Sequence, residues 1–291
     1  MTSMNSMDST FRLSSVDGLL EEPQFRRLFE LLRSMDSVAV AYSGGVDSTF
    51  LLKVAHEALG TRCCGVLACS ESLDRHESKA ARDLAATLGI PVTVVESHEF
   101  DRPEYRRNDA NRCYFCKTEL FSVVKSFAAR QGISYVLDGS HSGDLGDYRP
   151  GLRARNEQGV RSPLMEAGLD KEEIRRYSRL LGLPTWDKPA APCLSSRIPY
   201  GSEVTDEKLR AVEAAEKCLR DHGFRTVRVR HHGEVARIEV PREEVGRLLA
   251  PAVHAAVVAG VKKAGFLFVT VDLEGFRSGS LNRALGLESE G

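Results

Sequence analysis

No apolar run in this 291-residue chain approaches the roughly 20 residues needed to cross a bilayer, and no charged-then-apolar export segment opens it. A spanning helix and a signal peptide are therefore not expected, and the expected compartment is the cytoplasm. Basic excess is missing as well: 40 Lys and Arg stand against 41 Asp and Glu, a formal net charge of −1. That balance argues against a broad nucleic-acid or membrane-surface binder, though a local basic patch stays open. The seven cysteines are odd in number and come without an export signal, so a disulfide framework is not expected. Clustered cysteines then read as metal ligands or reactive thiols. No internal repeat is found. What is present is 42% hydrophobic and 28% charged residues, enough to build a sizeable core under a soluble surface. The length suggests about two domains.

Residues 1–20 are rich in Ser, Thr and Met without periodicity, and read as a mobile leader. From there helices and short apolar strands alternate: helix 24–34, strand 37–42, helix 48–59, strand 65–69, helix 73–88, strand 91–95, helix 117–129, strand 134–137. Such alternation predicts a doubly wound α/β domain with a parallel sheet over residues 21–200. Residues 139–163 read as loop by their Gly, Asp and Arg content, 170–181 as a charged helix, and 187–201 (DKPAAPCLSSRIPYG) as a linker that still carries Cys193 and Arg197. The pattern then changes. A helix over 205–222, strands at 226–231 and 235–240, a helix from about 242 and a strand at 266–271 predict a smaller α+β domain over 201–280, with a tail at 281–291.

The strongest local signal is SGGVDS, residues 43–48, directly after the strand SVAVAY and opening a helix. Gly44 and Gly45 permit a sharp turn that aims backbone N–H groups at phosphate, and the helix dipole adds positive potential. Ser43 and Ser48 bring hydroxyl donors. Asp47 would repel phosphate alone and makes sense beside a bridging Mg²⁺. The loop fits neither GxxxxGK[ST] nor GxGxxG. It resembles the pyrophosphatase-loop ATPases, which cleave ATP between the α and β phosphates. That resemblance places adenine near Cys69 and Ser70, and makes Asp138, Gly139 and Ser140 a second nucleotide-contacting loop.

Four further segments sharpen the likeness: RCYFCK (112–117), DGSHSGDLGDYRPG (138–151), PCLSSRIPYG (192–201) and RVRHHGEVARIEV (228–240). Together they resemble the LarE family, ATP-dependent sulfur transferases that help build the nickel-pincer nucleotide cofactor of lactate racemase. The likeness runs from about residue 20 to 275. It implies that ATP adenylates a carboxylate of pyridinium-3,5-biscarboxylic acid mononucleotide, after which sulfur displaces AMP and leaves a thiocarboxylate. In one branch of the family a single cysteine, matching Cys193, surrenders its own sulfur and becomes dehydroalanine. In another, three cysteines, matching Cys113, Cys116 and Cys193, hold a 4Fe–4S cluster carrying an extra sulfide. Read from the residues, a CxxC plus one distant cysteine suits a three-ligand cluster better than structural zinc, which usually needs four ligands. A redox disulfide and half of a zinc site completed by His remain compatible with the CxxC. Cys63, Cys64, Cys69 and Cys218 read as structural.

The implied substrate carries one phosphate and two carboxylates, so cationic donors are expected near it. Arg228 and Arg230 share one face of a strand, and Arg149 and Arg197 are comparable candidates at phosphate or pyrophosphate. Glu216 falls inside the apolar stripe of Leu209, Val212 and Leu219, at the stripe's edge or facing a site. Asp144 and Asp147 assist Mg²⁺ or shape a turn; His141 is a candidate phosphate contact. His231 and His232 read as solvent-facing, and Trp186 as a packing anchor. The expected partners are the small nucleotide and a sulfide donor, with no nucleic acid and no membrane. The family suggests a homo-oligomer, for instance a hexamer. Thiolation of tRNA, which also pairs SGGxDS with CxxC, and non-enzymatic ATP binding are the competing functions.

Overall fold

The computed structural model describes residues 16–144 and 150–277. Asp147 and Arg149 lie outside the described residues, as do most of the expected leader and the whole tail. Leu19, inside the stretch expected to be leader, is buried in a short helix, Val16–Leu19.

Four strands make the first sheet, all parallel: β1 (Val38–Ala41), β2 (Cys63–Cys69), β3 (Val92–Glu96) and β4 (Tyr135–Leu137), in the order β3-β2-β1-β4. The longer helices are α1 (Pro23–Arg33), α2 (Val46–Leu59), α3 (Arg75–Thr87), α4 (Arg112–Arg130), α5 (Pro150–Gln158), α6 (Lys171–Leu180), α7 (Asp206–Asp221) and α8 (Pro251–Lys263). Alternation along β1 divides the packing. Val38 and Val40 join a core with Phe25, Leu28, Phe50 and Tyr177, whereas Ala39 packs with Val124 and Ala128 of α4. Small side chains on that second face let α4 lie close to the sheet. The doubly wound α/β reading therefore holds.

Strand order explains where a ligand would go. The chain steps outward from β1 to β2 to β3, then returns to the other side of β1 to lay down β4. The switch point between β1 and β4 opens a crevice at the carboxyl ends of the strands, the usual ligand position in open α/β sheets. Residues 43–48 leave β1 and residues 138–140 leave β4 at that crevice.

The second sheet is an antiparallel hairpin, β5 (Arg228–His232) with β6 (Val235–Glu239), joined by β7 (Phe268–Val271) parallel to β6. Its core unites Leu209, Val212, Leu219, Phe224, Val229, Ile238 and Val261, and also takes in Tyr105, Leu194 and Ile198 from earlier in the chain.

Three local expectations need correction. Residues 139–163 are not all loop: they contain α5 and the start of a short helix, Pro163–Glu166. The Gly, Asp and Arg content misled the reading; Pro150 and Pro163 open helices at positions whose N–H has no helical partner anyway. The helix expected from 242 is interrupted, and Pro251 starts α8 afresh. Finally, α4 begins at Arg112 rather than 117, which puts Cys113 and Cys116 in its first two turns.

Candidate active site

At the phosphate loop, Gly44 has φ +70°, and a Cβ added there would come 2.5 Å from the Ala81 Cβ on α3. Only glycine fits, for both reasons. Gly45, extended, caps α2. The Ser43 amide donates to Ser48 Oγ (3.1 Å), and the two hydroxyls lie 3.0 Å apart. Gly139 closes the other side: a Cβ would sit 3.1 Å from the Ser48 nitrogen and 3.3 Å from Asp47 Cβ, so its bareness lets the loop after β4 rest on the first turn of α2. Asp138 is buried and shapes that loop, accepting from Ser162 Oγ (2.5 Å) and Ser140 Oγ (2.7 Å).

Two lysines that sequence reasoning did not single out bracket the loop. Lys171, the first residue of α6 behind the capping-box residue Asp170, places Nζ 2.6 Å from both carboxylate oxygens of Asp47. Lys188 places Nζ 3.0 Å from the Gly44 carbonyl and 2.7 Å from Glu77 Oε2. A carboxylate with both oxygens turned to a cation at a helix start suits a hard divalent ion. Asp47 therefore fits the expected Mg²⁺, with Lys171 occupying its oxygens here. His141 and the buried Asp144 pair with each other (3.6 Å) beside the second loop.

The sulfur-bearing residues form a second centre. Cys113 is exposed; Cys116 and Cys193 are half-buried. Cys193 begins a helical turn that several contacts fasten to the older part of the chain: Leu194 N donates to Ser72 O (2.9 Å), Arg112 Nη1 to Ser195 O (2.8 Å), and Tyr105 and Ser195 share a hydrogen bond of 2.5 Å. Asn108, buried and in the left-handed region at φ +57°, donates to the carbonyls of Pro199 (2.8 Å) and Ser202 (2.9 Å) and accepts from Arg112 (2.5 Å). Burial, then the charges of Glu99 and Cys193, raises the Cys116 thiol well above its ordinary value. Burial works against the Arg112 cation, yet Cys193 and Cys113 outweigh it and hold the guanidinium above its usual range. Cys113 and Cys193 thus both act on Arg112, and each also acts on Cys116. Among the described residues, however, no three His, Cys, Asp or Glu side chains are grouped to hold a metal ion. The donors suit an iron–sulfur cluster; their present arrangement is not a cage for one.

Ser70 does not point a free hydroxyl at a nucleotide. It donates to Glu99, a buried carboxylate that also accepts from Ser72 (2.7 Å) and Ser97 (2.6 Å). Cys63 is buried and its thiol is pushed up to about 12 by burial and then Cys64; Cys64, Cys69 and Cys218 are half-buried, and all are free thiols.

The arginines beside the second core are buried. Arg197 makes a two-pronged pair with Glu216 (2.8 and 3.1 Å) and also donates to the carbonyls of Pro192 (2.8 Å) and Cys193 (3.1 Å). Glu216, 1% exposed, additionally accepts from the Val229 amide (3.0 Å). Arg230 pairs with Glu239 (3.0 and 2.7 Å) and reaches Ser196 O (2.9 Å). Arg228 donates to Val227 O (2.7 Å) and Ala190 O and lies over the Phe276 ring. No carboxylate among the described residues forms an ion pair with Arg228, and burial, followed by the Arg197 charge, lowers it to about 10. His231 is half-buried against Phe266 rather than solvent-facing, and Trp186 is 37% exposed with Arg179 over its ring.

No single helix among the described residues is long and apolar enough to cross a membrane. The NAD synthase family model matches residues 31–114, the stretch holding the phosphate loop and Cys113. An uncharacterised protein of Synechocystis is 46% identical over 264 residues, covering 91% of this chain and 98% of its own. The glutamine-hydrolysing GMP synthase of Schizosaccharomyces pombe is 28% identical over 272 residues, 82% of this chain and 49% of its own. The pyridinium-3,5-bisthiocarboxylic acid mononucleotide synthase of Lactiplantibacillus plantarum is 40% identical over 259 residues, 89% of this chain and 93% of its own. With a pyrophosphatase-type loop at the switch point and that likeness over nearly its whole length, the chain belongs to the LarE family and is an ATP-dependent enzyme.

Proposed function

We propose that this enzyme converts a carboxylate of pyridinium-3,5-biscarboxylic acid mononucleotide to a thiocarboxylate. A carboxylate oxygen attacks the α-phosphorus of ATP, the bond to the bridging α–β oxygen breaks, and pyrophosphate leaves. Sulfide then attacks the acyl carbon, and the carbon–oxygen bond to AMP breaks. Loop 43–48 takes the phosphates with Asp47 at Mg²⁺, and the loops at Ser70 and at residues 138–140 flank the nucleotide. The observation that carries this reading is the position of Cys193, on a segment tied at one end to the phosphate loop through Lys188 and at the other to the CxxC helix through Arg112. Adenylation and sulfur delivery would otherwise be separate.

Arg228 is the cation assigned to the substrate's phosphate or free carboxylate, since of Arg197, Arg228 and Arg230 it alone lacks a carboxylate pair among the described residues; Arg197, Arg230 and Glu216 shape the wall around it. Cys113, Cys116 and Cys193 would hold a 4Fe–4S cluster through three irons, leaving the fourth to carry hydrosulfide. The second reading is sacrificial transfer from Cys193, favoured by the ungrouped donors among the described residues.

The test is ATP–pyrophosphate exchange with and without the mononucleotide, followed by iron analysis after anaerobic reconstitution. Substrate-dependent exchange and about four irons per chain, lowered by any one Cys→Ala, are expected. Iron-free protein that loses about 34 Da at Cys193 during turnover, with Cys113 and Cys116 dispensable, would overturn the cluster.

A further inference from the structure

Lys188 stands five residues before Cys193, and the chain between them is KPAAPC. Residues 189–192 are exposed and form neither helix nor strand. Pro189 and Pro192 fix φ at two of those positions and press the residue before each toward extended backbone, so the segment resists both bending and compression. It spans at most ~17 Å at ~3.3 Å per residue. At one end the Lys188 ammonium touches the phosphate loop itself, through the Gly44 carbonyl, and its backbone is held by Arg175, whose guanidinium donates to Trp186 O (2.6 Å) and Lys188 O (2.9 Å). At the other end the Cys193 carbonyl is held by Arg197. An ammonium balanced on one carbonyl and one carboxylate, 23% exposed at a crevice built for polyphosphate, has a stronger partner available as soon as phosphate arrives.

We propose that Lys188 and the proline-stiffened segment 189–192 form a strut that transmits occupancy of the phosphate loop to Cys193. When the triphosphate enters, Lys188 exchanges Gly44 O and Glu77 for phosphate oxygens. Too stiff to absorb the shift, the segment pivots about the Arg175 bonds at Lys188, releases the Ala190 carbonyl from Arg228 and draws the Cys193 thiol inward from solvent, toward the carboxylate being activated. Lys188 acts here as a positioning residue for Cys193. Sulfur is thereby presented only while nucleotide is bound, whichever way Cys193 obtains or carries it. The inference rests on the proposed placement of ATP at residues 43–48.

The experiment is alkylation of the full-length, metal-free protein by iodoacetamide, with the Cys193 peptide quantified by mass spectrometry. Rates are compared with and without saturating α,β-methylene-ATP and Mg²⁺, and nucleotide affinity is measured separately by calorimetry. In the parent protein nucleotide should slow Cys193 alkylation by about tenfold, the shift that one charge-assisted contact gives an equilibrium. Lys188→Met should bind nucleotide more weakly and, at saturation, show no slowing. The double variant Pro189→Gly/Pro192→Gly keeps the ammonium but softens the strut: nucleotide affinity should stay at the parent value while the slowing disappears. An equal slowing in all three proteins means the nucleotide merely shields the thiol, and overturns the strut. Parent protein that binds nucleotide without any change at Cys193 also overturns it, leaving the ATP site intact. Parent protein that binds no nucleotide overturns the placement of ATP and the strut with it.

Discussion

The buried pair Arg197–Glu216 allows the stability of this protein to be separated from its sulfur chemistry. The two side chains are 3% and 1% exposed and meet through two bonds of 2.8 and 3.1 Å. Glu216→Gln removes the charge and turns an amide N–H toward donors already there, leaving Arg197 uncompensated beside Arg228. Breaking one side of such a buried pair costs about 3–5 kcal/mol. At roughly 2–4 °C per kcal/mol for a chain of this size, the melting temperature should drop on the order of 10 °C. The double variant Arg197→Met/Glu216→Leu strands neither partner, and Arg220, 3.6 Å from Glu216, keeps its pair with Asp74 (2.9 Å). Its remaining cost is chiefly the Val229 amide, which loses its acceptor, about 1–3 kcal/mol. The double variant should thus be the more stable of the two, while the carbonyls of Pro192 and Cys193 lose the guanidinium that holds them. Denaturant midpoints at unchanged slope give the stabilities, and ATP–pyrophosphate exchange and thiocarboxylate formation give the two half-reactions. Exchange should persist in the double variant while sulfur transfer falls by tenfold or more, about one charge-assisted hydrogen bond. A double variant that transfers sulfur at the parent rate, or that is less stable than Glu216→Gln, would refute this division of roles.

Asp47→Asn should abolish pyrophosphate release in the presence of Mg²⁺ and substrate while the melting curve stays near the parent; near-normal release would remove Asp47 from the metal site. Gly44→Ala should lose ATP binding in calorimetry, because it adds roughly 1–2 kcal/mol of left-handed strain to the overlap with Ala81; Ala81→Gly removes the 2.5 Å contact but leaves the Cα at 2.9 Å and the strain, and should rescue only slightly. Arg228→Ala should weaken the mononucleotide tenfold to a hundredfold while ATP affinity changes little, and a loss of ATP affinity instead would move Arg228 to the nucleotide site. Cys63 has a folded value of about 12, raised above the unfolded one, so its contribution is complete below the unfolded pKa of about 8.5 and is lost as pH rises toward 12. That amounts to about 5 kcal/mol across the window. The stability difference between the parent and Cys63→Ala, from urea titrations at rising pH, should therefore narrow; a constant difference would contradict the assignment.

The sequence made the first half of the site readable because its parts are contiguous. A strand, two glycines, a serine and an aspartate within one short stretch report a phosphate loop through local backbone demands alone. Gly139 was named through the family resemblance, and its bareness lets the loop after β4 approach Ser48 closely. Lys171 and Lys188 were not, since they reach the loop from 124 and 144 residues away and lysines at a helix start or in a proline-rich link are common. The arginines were half legible. Period-two alternation put Arg228 and Arg230 on one face of β5, but only the packing of the hairpin against the segment carrying Cys193 shows both to be buried and, among the described residues, only Arg230 to have a carboxylate, Glu239. Glu99 gave no sign, because what keeps it inside is three serine hydroxyls, Ser70 and Ser72 from the loop after β2 and Ser97 from the end of β3. The start of α4 was misplaced by five residues, enough to move the CxxC from an irregular stretch onto a helix.

The second core takes in Tyr105, Leu194 and Ile198, and Cys116 packs against it. A chain ending near residue 200 would keep the strand, loop and helix that form the phosphate loop, yet leave those apolar side chains without a floor and Arg112 without a settled Ser195 carbonyl. The phosphate loop thus rests on residues that all precede position 200, whereas the packing around Cys116 and around the turn after Cys193 is supplied from beyond it.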